Sequence, residues 1–471
     1  MKSVKSSFII SGITIIALII TSCARTFNPD IDMGSGYELV PGTPDIRMDA
    51  IGFLDDDNYP FINVTVQINK NSLIYRTDFE RRFAEVEIDV RIVDSETSES
   101  RSFQETFIIN DPSQRLGEGL YFVFTEDYEI NPGEHIVTVT VTDKTSDKRT
   151  VRQDRSYIFN PDNPQTNITA IRMSGLNPLI DPDNFSVIST YDVPSINDSL
   201  LFTFLVSNQF DDRPITLRMR LLRFQADRAP ALPLSARDPS PNSLPFVGFR
   251  LRNPEVLKDF TKVISEKGSF PQEIILKRPE DGNYRFEVTI DTKEQGGDRT
   301  LFRARDFSVK STNYPHILSA REMAAPLVYL MSRNEHRNLM SIEHPDSLKM
   351  AVDRFWLSNL PPNQARATIE MFYERVEQAN MFFSSFKEGW KTDMGRVYIM
   401  FGPPISVEPT HNQMIWAYTF DLNDPLYNIR FRRTRPPSEF FPFDHYVVQR
   451  SPEFFSLEYQ QQQRWLQGLM R

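Results

Sequence analysis

Cysteine is nearly absent from this sequence, which contains only Cys23 among its 471 residues. A single thiol cannot form a disulfide within the chain. The six histidines lack the HExxH pattern or any other metal-ligand spacing. The sequence also has no phosphate loop, no glycine-rich dinucleotide fingerprint and no nucleophile elbow. We therefore predict no catalytic residue, no metal site and no cofactor.

Positive charge is also in short supply. The chain has 53 lysines and arginines against 63 aspartates and glutamates, a formal net charge of -10. Because neutralising phosphates requires a basic surface, we predict no nucleic-acid partner. Hydrophobic residues at 40% and charged residues at 25% are ordinary values for a globular protein. The length is enough for about two to four domains.

The N-terminus has the pattern of an export signal. Lys2 and Lys5 precede an apolar run from Phe8 to Ile20 that is too short for a comfortable transmembrane helix, which predicts a signal peptide over residues 1–22. The run ends in Ile20-Thr21-Ser22-Cys23-Ala24, which resembles a bacterial lipoprotein signal box. The resemblance implies that Cys23 becomes the lipidated first residue, anchored by acyl chains such as palmitate. An acylated Cys23 also leaves no thiol nucleophile.

The residues after Cys23 bear on where such an anchor would lie. In the lipoproteins that the signal resembles, an aspartate after the cysteine opposes transfer to the outer membrane, so Ala24 favours the outer membrane. The chain is not acidic until Asp30, which favours the periplasmic face. Residues 23–44 are rich in glycine, serine and proline, a composition typical of a flexible tether.

Short alternating segments begin near residue 45 and predict β-structure. Apolar residues recur at every second position in segments 62–68, 86–92 and 137–141, and segments 103–109 and 121–124 are further strand candidates. Several such strands with turn residues between them predict a β-sandwich over residues 45–160.

A second block, residues 161–311, has its best strand patterns at 201–206, 215–222 and 284–290. Its last hairpin, introduced by Asp281-Gly282, echoes the one introduced by Pro132-Gly133 in the first block. We therefore predict two tandem immunoglobulin-like sandwiches. The proline- and arginine-containing segment from Ala229 to Pro254 is predicted to be an insertion or an irregular crossover.

The hydrophobic period changes to that of a helix near Ile317. We predict a helical connector over residues 312–344 and an α+β domain over 345–450, with a long helix from Gln364 to Lys387. Residues 451–471 predict a C-terminal helix that docks on this domain, with a partner-binding helix as the alternative.

The stretch after the long helix is rich in residues that end helices and strands or form turns. Gly389 suits the left-handed residue that ends a helix, and Asp393 and Gly395 suit a tight turn. The apolar run from Val397 to Phe401 predicts a buried strand, which Gly402-Pro403-Pro404 would end.

This stretch carries a resemblance to a known family. Gly389-Trp390-Lys391-Thr392-Asp393, with Gly395-Arg396 and Gly402-Pro403-Pro404 after it and Tyr373-Glu374-Arg375-Val376 before it, resembles the GWxTD domain. The resemblance covers about residues 340 to 445 and implies an exported bacterial protein, often a lipoprotein. The family is named for its sequence and implies no reaction. It often has Asp-Arg-Gly-Arg where this chain has Asp393-Met394-Gly395-Arg396, which weakens the hypothesis of an anion site.

Each signature residue admits a binding role and a structural one. Trp390 could be a ligand platform, although an indole at such a corner is more often core. Thr392 and Asp393 could bind a ligand or act as a base, but these groups also satisfy backbone donors in turns. We favour the structural role for all three.

Charged residues near the signature could form ion pairs or a catalytic pair. Arg396 is predicted to pair with Asp393, Glu374 or Asp353, with an anion site as the lesser reading. Asp353, Glu374 and Asp393 lie on three predicted elements, and no spacing supports a hydrolase pair among them.

Two features lie further along. Arg430, Arg432, Arg433 and Arg435 would decorate the solvent side of an edge strand, or contact anionic lipid or an acidic partner. Phe440, Phe441 and Phe443 would bury the C-terminal helix or form an exposed patch.

These observations favour a non-enzymatic, membrane-tethered envelope lipoprotein that acts as an interaction or scaffold protein. It would bind an envelope protein partner that the sequence does not identify. The alternative is an envelope hydrolase or carbohydrate-binding protein with a cleft around Trp390, Thr392, Asp393 and Arg396.

Overall fold

The computed structural model describes most of the chain after the predicted tether. The described residues are 31–32, 42–55, 59–78, 81–110, 121–160, 165–179, 181–188, 191–193, 195–210, 213–237, 248–294, 297–410, 412–419, 427–435, 443 and 445–470. The predicted signal peptide and Cys23 lie outside them. Within them, strands dominate the first two thirds of the chain and α-helices are confined to the last third.

The first β unit contains two sheets. Its strands are β1 (Ile31–Asp32), β2 (Ile46–Leu54), β3 (Pro60–Asn69), β4 (Arg76–Asp78), β5 (Arg81–Asp94), β6 (Ser100–Asn110), β7 (Tyr121–Glu129), β8 (Gly133–Asp143) and β9 (Lys148–Ile158). One sheet has the order β1-β9-β8-β5, with β4 and β6 also pairing β5, and the other has the order β2-β3-β7. In β8 every second residue from His135 to Asp143 is buried, as the alternation of valines predicts.

The second β unit also has two sheets. Its strands are β10 (Asn167–Ile168), β11 (Arg172–Leu176), β12 (Phe185–Val187), β13 (Asp192–Val193), β14 (Ser199–Asn208), β15 (Ile215–Ala226), β16 (Phe249–Ile264), β17 (Gly268–Lys277), β18 (Gly282–Glu294) and β19 (Gly297–Val309). One sheet has the order β13-β19-β18-β15-β16, and the other joins β10, β11, β12, β14 and β17. Phe202, Phe286 and Phe307 stack in the core between them.

The two β units repeat one strand order. In each, a short first strand lies parallel to the last long strand, β1 beside β9 and β13 beside β19. From there the sheets continue as β9-β8-β5-β6 and as β19-β18-β15-β16. The other sheets place β3 and β14 next to β7 and β17 in the same way. Each of the two β units is therefore β-sandwich-like.

The sequence pattern did not indicate β16 and β17. β16 pairs only with β15 among the described strands, and most of its side chains are exposed on both faces. A strand without a buried face has no alternating apolar pattern, so periodicity could not detect it. The segment read as an insertion is the connection between β15 and β16, and β16 begins inside it.

The C-terminal part is an α+β structure. Its helices are α1 (Ala320–Ala324), α2 (Arg333–Met340), α3 (Pro345–Asn359), α4 (Pro362–Phe383), α5 (Asp393–Phe401) and α6 (Phe454–Leu466). Its antiparallel sheet has the order β20 (Ser406–Pro409), β21 (Gln413–Ala417), β22 (Asn428–Arg433) and β23 (Tyr446–Val448). Among the described residues, no helix combines the length and apolar character that crossing a bilayer requires.

One core joins segments that the sequence analysis separated. Leu327 and Tyr329 of the predicted connector, Phe372 of α4 and Trp465 of α6 belong to the same buried cluster. Trp465 is fully buried, and its indole Nε1 donates to the carbonyl of Met400 at 3.2 Å. The connector, the α+β segment and the C-terminal helix therefore pack as one body.

Two sequence predictions about this body are wrong. Val397 to Phe401 is not a strand but the last part of α5, because Thr392 caps a helix there and short apolar runs do not distinguish a buried helix from a buried strand. β22, which carries Arg430 and Arg432, is not an edge strand, since it pairs with both β21 and β23. The two arginines nevertheless lie on the exposed face of this sheet.

Candidate functional site

The signature stretch is a tight connection between two helices. α4 ends at Phe383, a 3₁₀ turn covers Gly389–Lys391, and α5 starts at Asp393. The Thr392 hydroxyl accepts a hydrogen bond from the backbone N–H of Gly395 at 3.0 Å and donates to the carbonyl of Gly389 at 2.7 Å. Thr392 is therefore the N-cap of α5, and both its hydroxyl roles are used within the turn.

Gly389 and Gly395 allow close contact between backbone segments, and neither has a positive φ. Neither is among the positive-φ residues, which corrects the left-handed and turn conformations predicted for them. A Cβ at Gly389 would lie 1.8 Å from the carbonyl oxygen of Ala379, and one at Gly395 would lie 1.9 Å from that of Gly389. The backbone of the turn therefore touches α4 and itself at distances that exclude any side chain.

Trp390 is a core residue. It is 4% exposed, and its ring packs edge-on against Tyr329 with 6.1 Å between centroids. Its Nε1 donates to Glu388 Oε2 at 2.8 Å, and its carbonyl accepts from the Tyr329 hydroxyl at 2.6 Å. An indole without an open face cannot stack on a sugar.

The Asp393 carboxylate is bound on both oxygens. Oδ2 accepts the backbone N–H of Val448 at 2.9 Å, and Oδ1 accepts from the guanidinium of Arg450. Both side chains of this ion pair are buried. Asp393 thus ties the first turn of α5 to the end of the sheet, and its carboxylate also lies where the helix dipole favours negative charge.

Arg396 does not pair with Asp393, Glu374 or Asp353 as predicted. Its Nη2 lies 3.0 Å from Oε1 of Glu458 on α6, and its Nη1 donates to the carbonyl of Ala231 at 3.2 Å. The guanidinium also sits 4.7 Å from the ring centroid of Tyr329.

Glu458 connects this arginine to the second β unit. We call residues 229–237, which follow β15, the strap. Glu458 accepts the backbone N–H groups of Leu234 at 2.8 Å and Ser235 at 3.1 Å, and the Ser235 hydroxyl at 3.0 Å. Leu234 itself is buried in the C-terminal core. The strap is thus fixed to α5 and α6 by a charged pair and by an apolar anchor.

Charged residues just before the turn hold it to the same β unit. Lys387 Nζ lies 2.6 Å from Asp227 Oδ2, and Lys310 Nζ donates to the carbonyl of Ser385 at 2.5 Å. Burial lowers the pKa of Lys310. Burial also favours a higher pKa for Glu388, but Lys391, the N–H of Ser311 and the Trp390 indole outweigh it, so the pKa of Glu388 is lowered.

The end of the signature stops α5. Gly402 has φ of +85°, and its N–H donates to the Tyr398 carbonyl at 2.8 Å, so it ends a helix, whereas the sequence predicted that Gly402-Pro403-Pro404 would end a strand. A Cβ there would meet Arg375 Nη2 at 2.9 Å. Pro403 and Pro404 follow at the surface, on the way to β20.

The predicted carboxylate trio is not assembled into one site. Asp353 pairs with Lys349, Glu374 accepts from Gln378, and Asp393 is held by Arg450. No hydrogen bond joins any two of the three among the described residues. In the same part of the chain, no group of three or more histidine, cysteine or acidic side chains could hold a metal ion.

Phe443 packs at the junction with the second β unit. It belongs to a buried cluster with Phe224, Phe249 and Phe386, and so it does not cover the C-terminal helix as one interpretation held. Phe440 and Phe441 lie outside the described residues.

Sequence reasoning missed Glu458, Arg450 and Tyr329, which supply partners of the signature residues. Glu458 and Arg450 lie in polar stretches of the tail, and nothing local marks them as buried. The apolar residues of α6 were the available signal, because they predict a docked helix. The polar groups on the buried face of a docked helix need hydrogen-bond partners in the domain.

The strands of the first two thirds and the helices of the C-terminal part define a mostly β protein with a few C-terminal helices. Residues 296–467 match the GWxTD domain family, so the C-terminal part of this chain is a GWxTD domain. The match begins before the segment recognised from its motifs and includes α1, α2 and α6.

Similar solved structures include a transglutaminase of red sea bream, with 7% identity over 57% of this chain and 31% of that one, at a TM-score of 0.17. Trypsin-activated α2-macroglobulin of Escherichia coli has 8% identity over 75% of this chain and 28% of its own, with a TM-score of 0.18. The Salmonella α2-macroglobulin reacted with methylamine has 8% identity over 74% and 26%, at 0.18. This chain therefore spans less than a third of each. A comparison with curated protein sequences found no match.

Proposed function

We propose that this protein is a bacterial envelope lipoprotein that acts without catalysis, as a scaffold for a protein partner. Acyl chains on Cys23 would anchor it to the outer membrane on the periplasmic side. The two β units, as a tandem of immunoglobulin-like domains, would carry the GWxTD domain away from the membrane. The repeated strand order of the two units supports the tandem arrangement.

The observation that carries the proposal is that the signature residues are bound within the chain itself. Trp390, Thr392, Asp393 and Arg396 are buried, and they hydrogen-bond to backbone and side chains of the chain itself. A group already desolvated and bound in this way serves assembly, because freeing it for a substrate would leave its partner buried and unpaired. We therefore infer that the turn serves to hold the domain together.

The alternative, a hydrolase or carbohydrate-binding cleft at this turn, gains no support from the same geometry. A sugar platform needs an open aromatic face, and a general base needs a carboxylate that can reach a substrate proton. Trp390 and Asp393 are both committed to the interior.

The experiment is chemical crosslinking in intact cells that produce the full lipoprotein with an affinity tag, followed by purification under denaturing conditions. We expect one envelope protein to be enriched over a control that carries the same signal and tether on an unrelated domain. Recovery of the same abundant membrane proteins from both samples would contradict the scaffold proposal.

A further inference from the structure

The antiparallel sheet of the GWxTD domain has one covered face and one open face. On the covered face, Trp416, Ile429 and Phe431 are fully buried in the domain core. The open face of β21, β22 and β23, which we call the arginine face, consists of the residues that alternate with these: Gln413, Ile415, Arg430, Arg432 and Val447. The two arginines are exposed and the other three residues are half-buried, so the guanidinium groups dominate this face.

The pairing of the strands fixes where the two arginines lie. Arg430 lies opposite Ile415 on β21, and Arg432 lies between Gln413 on β21 and Val447 on β23. Arg430 and Arg432 are two positions apart on one strand, so their side chains point to the same side, about 6.5–7 Å apart along the strand. They therefore form a pair of charges on the sheet, with neutral residues opposite them.

Neither arginine has a counter-ion in the described part of the chain. Arg430 and Arg432 form no side-chain hydrogen bond and no ion pair there. The strands β21, β22 and β23 contain no aspartate or glutamate. By contrast, Arg218 on β15 pairs with Asp259 on the neighbouring strand at 2.6 Å. The chain thus leaves the charges of the arginine face without compensation.

The sign of this face is opposite to that of the whole molecule. The chain has a formal net charge of -10, so its general field repels acidic ligands, and a local positive face is where such a ligand can approach. Glu408 on β20 shares the face, but it lies two strands, about 10 Å, from Arg430. A guanidinium presents its N–H donors in a planar fork that binds a carboxylate through two parallel hydrogen bonds. Carboxylates are therefore the groups that this face fits.

The spacing of the two arginines matches that of an extended chain. Alternate side chains of an extended peptide point to one side and also lie about 6.5–7 Å apart. Two carboxylates at alternate positions of such a peptide can therefore reach Arg430 and Arg432 together. The apolar stems of these acidic side chains then lie over Ile415 and Val447.

The number of charges favours a peptide over a lipid surface. Sites for anionic membranes use clusters of about four to eight lysines or arginines, whereas the arginine face has two arginines. Arg433, the next residue of β22, does not enlarge the pair, because its Nη2 donates to the hydroxyl of Tyr446 at 2.6 Å. A small number of directed carboxylate contacts is therefore a better fit than a membrane.

We propose that the arginine face binds an extended acidic segment of the envelope protein partner, in which aspartate or glutamate occupies alternate positions. One carboxylate forms a bidentate pair with Arg430, and the next forms one with Arg432. This inference rests on the proposed scaffold function and names the chemistry by which the partner is recognised.

The test uses the full-length lipoprotein in a nonionic detergent and a short fluorescent peptide in which glutamate alternates with serine. Fluorescence polarisation should show binding of this peptide, and a peptide with lysine in place of glutamate should bind at least about tenfold more weakly. A peptide of the same composition, with adjacent pairs of glutamate separated by pairs of serine, should bind several-fold more weakly, because neighbouring side chains of an extended chain point to opposite sides. The double variant Arg430→Glu/Arg432→Glu should lose affinity for the alternating peptide by about tenfold or more.

The matched control is Arg250→Glu/Arg252→Glu, which makes the same charge change at the same spacing on exposed residues of β16, outside the GWxTD domain. It should bind the alternating peptide as the unchanged protein does. If the urea midpoint shows that Arg430→Glu/Arg432→Glu fails to fold, Arg430→Gln/Arg432→Gln replaces it, and a loss of several-fold is expected.

Equal binding by the two double variants, or equal binding of the glutamate and lysine peptides, would overturn the proposal. Binding of short-chain phosphatidylglycerol that the Arg430→Glu/Arg432→Glu variant loses, without binding of the alternating peptide, would assign the face to lipid and overturn it as well. If crosslinking in cells still captures the partner with this variant, the scaffold function stands and the assignment of the arginine face fails.

Discussion

Arg396 of α5 and Glu458 of α6 form a buried ion pair across 62 positions of sequence, with 3.0 Å between Nη2 and Oε1. Glu458 also receives the N–H groups of Leu234 and Ser235 in the strap. One carboxylate therefore fixes two helices of the GWxTD domain and a segment of the second β unit. The GWxTD domain and its neighbour are held together through a residue outside the signature itself.

Replacing Glu458 with alanine should destabilise the GWxTD domain strongly. The change leaves the buried Arg396 guanidinium, the buried N–H of Leu234 and the partly buried N–H of Ser235 without this acceptor, and breaking a buried pair in this way costs about 3–5 kcal/mol. Urea unfolding followed by tryptophan fluorescence measures it. The control is Asp353→Ala, which breaks the exposed pair with Lys349 and should leave the midpoint nearly unchanged. Equal midpoints for the two variants would contradict the structural role of Glu458.

Gly389→Ala and Gly395→Ala should each prevent the turn from closing. The added methyl groups would overlap the carbonyl oxygens of Ala379 and Gly389, at 1.8 and 1.9 Å, and backbone cannot yield as a flexible side chain can. We expect a loss of at least about 3 kcal/mol or loss of the folded domain. Circular dichroism and protease resistance provide the readout, with Ser347→Ala on the surface of α3 as control. A native-like melting curve for either glycine variant would refute the close approach.

Tryptophan fluorescence should be insensitive to iodide. The chain has four tryptophans, and Trp356, Trp390, Trp416 and Trp465 are all at most 4% exposed. A charged quencher cannot reach buried indoles, so the Stern–Volmer plot should be nearly flat in the folded protein and steep in urea. A ligand platform at Trp390 would instead make part of the emission quenchable. All four lie in the GWxTD domain, so the signal reports on that domain alone.

His445 should make the GWxTD domain less stable in mild acid. Burial, assisted by the positive charge of Lys387, lowers the pKa of His445 to about 3, from an ordinary value near 6.5. Below pH 6.5 His445 therefore binds a proton in the unfolded chain but not in the folded chain. The free energy of unfolding falls as the pH falls from about 6.5 towards 3. Between pH 6.5 and 5 the loss amounts to about 2 kcal/mol.

His445→Gln should remove this part of the pH dependence. The measurement is the urea midpoint at several pH values, compared with His344→Gln, which changes an exposed histidine. The control should keep the dependence of the unchanged protein. If His445→Gln keeps it as well, His445 is not the group responsible.

Cys23→Ser should abolish lipid attachment. Metabolic labelling with a fatty-acid analogue should mark the unchanged protein and leave the variant unmarked, and fractionation should move the variant out of the membrane pellet. Labelling that persists in the variant would place the acyl chain elsewhere or refute lipidation. The alternative outcome, an unlabelled but membrane-bound protein in both cases, would favour a retained N-terminal anchor.

Local patterns were reliable where one face of an element is buried. The valines of β8 and the valines and isoleucines of β5 alternate in sequence and in burial, because a strand between a core and solvent requires a period of two. The pattern failed for β16, which has almost no buried face, and for Val397 to Phe401, whose first four residues are all buried. In both cases the local sequence lacks the contrast between faces that distinguishes a helix from a strand.

The strand-rich first part, the helical change near residue 317 and the GWxTD signature could be predicted from the sequence, because each depends on neighbouring residues. Only the tertiary structure decided that Asp393 binds Arg450 and Val448 and that Arg396 binds Glu458 and Ala231. Those partners lie between 55 and 165 positions away. Contacts of that length follow from how whole elements pack, and no spacing rule along the chain encodes them.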